Sequence, residues 1–276
     1  MNSLLREQAP IPASAWKEID AQATSTLKTL LAARRLVDFN GPLGWKAAAI
    51  PTGRTQKLSE SLQDGIATRV RLSQPLIEIR IPFELSREEI DAIGRGASDA
   101  DLDPVRNAAR AAAIAEDRAI FQGYKAGSIE GIFPAAKERA LTIPDAYENY
   151  PDIVAEATHR LRSEGVDGPY GLALGPRCYT GVTRTTDRGY PVINHLRQLV
   201  DGPIVWAPAA DGAVVLSLRG GDFELSVGQD FAIGYLDHTS TSVLLYIQET
   251  FTFRVLSPEA AVPLVYAKQA APEKST

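Results

Sequence analysis

Cysteine occurs once in the 276 residues, at Cys178, which excludes an intrachain disulfide and suits a reducing compartment. A small buried residue is the commoner role for a lone cysteine than a nucleophile. Histidine occurs three times, at His159, His195 and His238, on two predicted helices and a loop, with no local metal-ligand spacing. No H-E-x-x-H pair and no paired C-x-x-C is present, so no metal site is expected. The G-x-S-x-G elbow, the P-loop and G-x-G-x-x-G are also missing. Arg219-Gly-Gly-Asp222 reads as a hairpin turn. No window approaches ~18 uninterrupted apolar residues, so no membrane-spanning helix is expected. Within residues 1–33, Arg6, Glu7, Lys17, Glu18 and Asp20 interrupt any signal-peptide core. Positive charge is short as well: the net charge is −5, where a nucleic-acid binder would usually carry a basic patch. These absences leave a soluble cytoplasmic protein without a motif for catalysis.

What is present is ordinary globular material, 45% hydrophobic and 23% charged, in a chain long enough for one large or two small cores. The longest helical pattern runs from Asp103 to Gly127, with Asp103 placed as N-cap and Pro104 at the first helical position. Val105, Ala108, Ala109, Ala112, Ala113, Ala119, Ile120 and Gly123 fall on one face of this spine. The face is small enough for another backbone to approach closely. Glu116 lands in its middle and needs an ion-pair or hydrogen-bond partner, because burying a lone charge costs several kcal/mol. Ile114 and Phe121 form a bulkier edge, flanked by Arg106, Arg110 and Asp117. Glu116 and Asp117 point about 100° apart, so a shared catalytic site is not expected.

Before the spine, Ser14 is placed to cap an amphipathic helix to about Arg35, with Trp16, Ile19, Ala23, Leu27, Leu30 and Arg34 on one face. That face either packs on the protein's own core or lines a groove. Residues 40–82 are punctuated by Gly41, Pro42, Gly44, Pro51, Gly53, Gly65 and Pro75 and offer little core. Ile77, Ile79 and Ile81 alternate there with Glu78 and Arg80, below Arg69 and Arg71, which is strand periodicity. Such a hairpin is either a mobile loop or an arm that completes its folding on a neighbour. Ser86-Arg-Glu-Glu89 forms a capping box for a helix ending near Gly94 or Gly96. Pro151 opens a helix with Ile153, Ala157 and Leu161 on one stripe, closed by Gly165. A short strand at 170–174, a segment from Pro176 to about Thr183 and a helix at 192–199 enclose a polar turn, residues 184–191. From Gly212 to Val255 alternation predicts a β-meander, and the tail 268–276 is polar and expected to be disordered.

Several blocks then stand together: Glu116-Asp-Arg118, Ile120-Phe-x-Gly-Tyr124, Ser128-Ile-Glu-Gly-Ile132, Gly165-Val-Asp-Gly-Pro-Tyr170, Gly189-Tyr-Pro191, Val200-Asp-Gly202, Arg219-Gly-Gly-Asp-Phe223, Ile233-Gly-Tyr235 and Glu249-Thr-Phe-Thr-Phe253. With Ala9-Pro10 and Ala15-Trp16 they make the chain resemble, over nearly its whole length, the encapsulin shell proteins of family 1, also labelled linocin-type bacteriocins. The resemblance implies an α+β, HK97-type phage major-capsid fold. Residues 1–39 would be the N-terminal arm and helix of a peripheral domain, 40–82 an extended loop pairing with a neighbouring subunit, and 83–144 the peripheral domain with the spine. Residues 145–205 would form an axial domain at the five-fold axis, and 206–276 the peripheral meander and tail. Identical subunits would close into an icosahedral cytoplasmic nanocompartment, the smallest icosahedral class, around a cargo enzyme.

The same resemblance assigns two surfaces. A C-terminal targeting peptide of the cargo would dock at Leu27, Leu30, Leu31, Arg34, Asp38, Asp230, Ile233 and Ile247. The competing reading is that these apolar side chains fill the core between helix and sheet. On the docking reading, Leu30→Asp is expected to leave shells intact and empty. A pore loop would comprise Thr183, Arg184, Thr185, Thr186, Asp187, Arg188, Gly189 and Tyr190, whose charged ring would bias what crosses; its plain alternative is a solvated loop. Some shells of this family hold a flavin beside a tryptophan just after the extended loop. Pro82-Phe-Glu-Leu85 has none, so no cofactor is expected. Overall similarity leans toward a dye-decolorizing peroxidase as cargo, with a ferritin-like iron-oxidising protein next. Two other functions are weighed: a secreted protease, which lacks a triad and a signal peptide, and a DNA-packaging capsid, which an acidic chain fits poorly. Neither nucleic acid nor membrane is an expected partner.

Overall fold

The computed structural model describes residues 4–267; the tail expected to be disordered, 268–276, lies outside them. Among the described residues, two five-stranded sheets, two two-stranded hairpins and the helices packed on them make up the fold. The first sheet is organised by one long strand, Ser242–Val255. Ile77–Ser86 runs antiparallel to it along residues 242–251. Ala232–His238 and then Phe223–Val227 pair with it as well, and Asp38–Asn40 adds in parallel to Phe223–Val227. In the second sheet the order is Leu141–Thr142, Ala261–Val265, Ala213–Ser217, Tyr170–Leu174, Ile204–Trp206. The strands Tyr170–Leu174 and Ala213–Ser217 are buried at every position. Covered on both faces, they are continuously apolar where a half-exposed strand would alternate.

The strand at 213–217 corrects the sequence reading. Val214 and Leu216 do not lead into the meander: Val215 lies opposite Leu172 on one side and Val262 on the other, inside the second sheet. Alternation sees only one chain segment, and here the partners lie more than 40 residues away in either direction. The expected 40–82 hairpin is also shorter than its pattern. Ala49–Lys57 pairs with Arg69–Pro75 as an isolated two-stranded arm, whereas Ile77, Ile79 and Ile81 belong to the first sheet.

The spine is the helix Asp103–Gln122. Asp103 is its first residue and not its cap; the Asp101 carboxylate accepts the Asp103 N–H at 2.9 Å. At the other end Gly123, with φ +84°, turns the chain out of the helix, so the spine stops short of Gly127. The turn works because two glycines meet. A side chain on Gly131 would run into the Gly123 amide, so the 128–132 block doubles back against the helix end only with glycine there. Ser86 caps the helix Arg87–Gly94 by accepting the Glu88 N–H, but Glu89 does not reciprocate; its carboxylate takes the Asp101 N–H instead.

Along the spine the burial changes partner. Val105, Ala108, Ala109, Ala112 and Ala113 pack with Ile19, Ala23 and Leu27 of the N-terminal helix Ala13–Leu30 and with Val243 and Leu245 of the long strand. Ala119, Ile120 and Phe121 instead join the core built on the second sheet and the helix Tyr150–Ser163. One helix therefore enters two hydrophobic cores, and Glu116 and Asp117 sit where it passes from one to the other, both 0% exposed.

Candidate functional site

The N-terminal helix ends at Leu30, five residues before its amphipathic pattern predicts. Leu31, with ψ 88°, leaves the helix, and a short 3-10 turn, Ala33–Arg35, follows. The cause is Asp117: its two carboxylate oxygens accept the amides of Ala32 and Ala33 at 2.9 and 3.0 Å, capping a new turn. Asp117, which the sequence pattern puts on the flank of the spine, lies in the interior. Burial pushes its carboxyl up to about 7, against the pull of the two N–H donors.

That break re-aims Arg34. Its Nε donates to both oxygens of Glu116 at 3.0 Å, and its Nη2 reaches Glu116 Oε2 at 2.6 Å. The same Nη2 reaches Glu249 Oε1 at 2.6 Å and Asp230 Oδ1 at 2.9 Å. Glu116, the unpaired charge of the sequence pattern, thus has its partner. The guanidinium also lies over the rings of Phe39 and Phe231, at 5.1 and 4.9 Å. Burial draws the Arg34 pKa down, but the three carboxylates outweigh it and hold the guanidinium firmly charged. Glu249 is pushed well above the usual carboxylate range by burial, with Glu116 adding to the rise and Arg34 opposing it.

The eight residues of the expected peptide site divide into three sets. Leu27, Leu30, Leu31, Ile233 and Ile247 belong to one buried cluster, exposed by 8% or less, and fill the seam between helix and sheet. Arg34 and Asp230 form the polar rim, the Asp230 side chain 42% exposed. Asp38 faces elsewhere: its Oδ2 accepts the Gly221 N–H at 2.6 Å, beside a cavity of about 190 Å³ lined by Leu36, Leu218 and Phe223. Sequence reasoning missed Glu249, Phe39 and Phe231. Glu249 was detectable in principle, because it shares alternation with Ile247 and Phe251 on a strand and so interrupts an apolar row. The two rings carried no such signal, since they meet Arg34 only in three dimensions.

The expected pore loop is a β-hairpin. Thr183 and Arg184 close the helix Pro176–Arg184, Thr185 follows it, and Thr186–Asp187 pairs with Tyr190–Pro191. Arg188 and Gly189, with φ of +47° and +85°, form the two-residue turn, the left-handed pairing that matches strand twist. Tyr190 packs edge-on to His195 at 4.7 Å. Thr183, Arg184, Thr186 and Arg188 face solvent, with Thr185 and Asp187 half-buried. Among the described residues no cluster of His, Cys, Asp and Glu could hold a metal ion.

The family model described as "encapsulating protein for peroxidase" matches residues 1–252. The type 1 encapsulin shell protein of Rhodospirillum rubrum is 54% identical over 277 residues, covering 98% of this chain and 99% of the relative. That of Mycobacterium tuberculosis is 48% identical over 264 residues, covering 96% and 99%. The virus-like particle from Pyrococcus furiosus superimposes with a TM-score of 0.61 at 15% identity, over 90% of this chain and 98% of that one. The capsid of Myoviridae phage XM1 gives 0.52 at 11% identity, over 85% and 91%. These two show the fold, the HK97-type major-capsid fold, and the closer relatives are named for a structural role and not a catalytic one. The chain belongs to the encapsulin family of cage-forming shell proteins.

Proposed function

We propose that this chain is the wall subunit of an icosahedral cytoplasmic compartment that holds a separately made enzyme. The observation that carries the assembly is the arm. Ala49–Lys57 and Arg69–Pro75 pair only with each other, and Leu58, Leu62, Ile66, Val70 and Leu72 stand exposed on or beside them. A lone two-stranded hairpin is at best marginally stable in water, so an apolar one needs a second copy to lie on. In this reading 40–76 is the extended loop, the second sheet with helices 150–163, 176–184 and 192–199 is the axial unit, and the 186–191 hairpin rims a pore.

The cargo is a dye-decolorizing peroxidase, with a ferritin-like protein as the alternative, docked through a short C-terminal peptide. The description of the matching family supports a peroxidase. For docking, the exposed Phe39 ring and the half-exposed Asp230 beside Arg34 offer an apolar and an acidic contact at one rim. Leu27, Leu30, Leu31, Ile233 and Ile247 form the floor beneath, while Asp38 is turned away to the Gly221 amide. Native mass measurement of the purified protein is the test: a megadalton-scale closed particle is expected, and a monomer or dimer at micromolar concentration would sink the reading. Co-expression with a peroxidase, with and without its C-terminal segment, separates docking from assembly. Nucleic acid in the purified particle would favour the capsid role instead.

A further inference from the structure

Two fully enclosed carboxylates meet at the guanidinium of Arg34, whose side chain is itself mostly buried, 17% exposed. Glu116 and Glu249 are both 0% exposed, while the third carboxylate, Asp230, is open to solvent. With all groups ionised the enclosed part would carry a net negative charge, which costs several kcal/mol in a protein interior. The hydrogen bonds are unequal. Glu116 uses both oxygens to accept from Arg34, whereas Glu249 accepts through Oε1 alone. Glu249 Oε2 is buried and has no hydrogen-bond partner among the described residues. An ionised oxygen there would lack a donor; a protonated one needs only an acceptor, and the Glu116 carboxylate is its neighbour.

We propose that Glu249 keeps a proton on its unpartnered oxygen and donates it to the Glu116 carboxylate beside Arg34, so that the socket is neutral. The charged groups facing it are few: Arg34 from the 33–35 turn, Glu116 from the spine, Glu249 from the long strand and Asp230 from the turn before Phe231. Asp117 lies next to Glu116 but is turned to the Ala32 and Ala33 amides. The proton therefore links the spine to the long strand, beside the turn that carries Arg34. It is a property of the single subunit and does not depend on what the shell encloses.

The linkage has a definite sign. A carboxyl that keeps its proton in the native state and loses it on unfolding stabilises fully below its unfolded pKa, and that contribution disappears as pH rises through the native value. Above that native value two charged glutamates face one guanidinium, and Arg34 loosens at the rim. Glu249→Gln keeps the shape and the Oε1 acceptor while removing the titration.

Infrared difference spectroscopy of the purified full chain, wild type minus Glu249→Gln at neutral pH, reads the C=O stretch of a neutral carboxyl, with the Asp117 contribution cancelling. The expected result is a wild-type band that vanishes as pH rises, preceded by a fall in Tm that levels off as the band is lost, and a flatter pH dependence of Tm in the variant. Asp230→Asn, at a solvent-open position, provides the second reading should Glu249→Gln fold poorly. Removing that neighbouring negative charge is expected to move the loss of the band to lower pH. No neutral-carboxyl band in wild type, or one that neither substitution alters, overturns the proposal.

Discussion

Arg34 shows how much one side chain can hold in place when every partner comes from a different element. Replacing it by methionine leaves Glu116 and Glu249 enclosed without a cation, and breaking a buried pair this way costs about 3–5 kcal/mol. Asp230→Asn removes only a half-exposed partner, and less than about 1 kcal/mol is expected. Chemical denaturation of the two variants should therefore separate by several kcal/mol; equal losses would mean that the enclosed pairs add nothing. Asp117 is the second test at this scale. Its native value near 7 lies above the ordinary 3.8, so its contribution is complete below 3.8 and is lost as pH rises through about 7. Thermal melts across that window should show a decline that Asp117→Asn flattens.

Elements are where the expectation for Leu30→Asp changes. Leu30 is 5% exposed, packed with Ile19, Ala23 and Leu27 on the small face of the spine. An aspartate there buries an unpaired carboxylate, so loss of folded subunit is expected in place of intact, empty shells. Soluble yield and melting temperature decide it. The docking question moves to Phe39, which is exposed and stacks on Arg34: Phe39→Ala should leave particles intact and lower the amount of co-purifying peroxidase. The arm is separable in the opposite sense. Deleting 58–68 and closing the two strands directly removes no buried side chain, so subunit circular dichroism should be retained while particle formation is lost.

For the whole molecule, stiffness comes from one helix entering two cores. Because the spine spans both, the arm, the Arg34 rim and the 186–191 hairpin are held at separate places on one frame. In the proposed assembly the 186–191 hairpin would rim a pore with a charged ring, and the consequence would be kinetic. Arg184→Glu with Arg188→Glu should slow entry of anionic substrates to an enclosed enzyme and speed cationic ones, measured against the same enzyme freed from the shell. Unchanged rates for both classes would remove these residues from the path.

Local sequence determined a good deal by itself. Helical periodicity located the spine and the N-terminal helix, glycine and proline marked the arm, and Glu116 in an alanine face announced a buried ion pair before its partner was known. The family blocks identified the capsid fold. Each of these is legible because its cause lies within a few residues along the chain. The tertiary structure alone decided the rest. Asp117 ends the N-terminal helix by binding the Ala32 amide 85 residues away, which no pattern around Leu30 encodes. Val214 and Leu216 join a sheet whose other strands are remote in sequence, and the five apolar residues of the expected slot turn out to be the seam between helix and sheet. Glu249, Phe39 and Phe231 gather at Arg34 only after folding. Long-range hydrogen bonds and charge compensation depend on which elements meet, and that is a property of the packed fold.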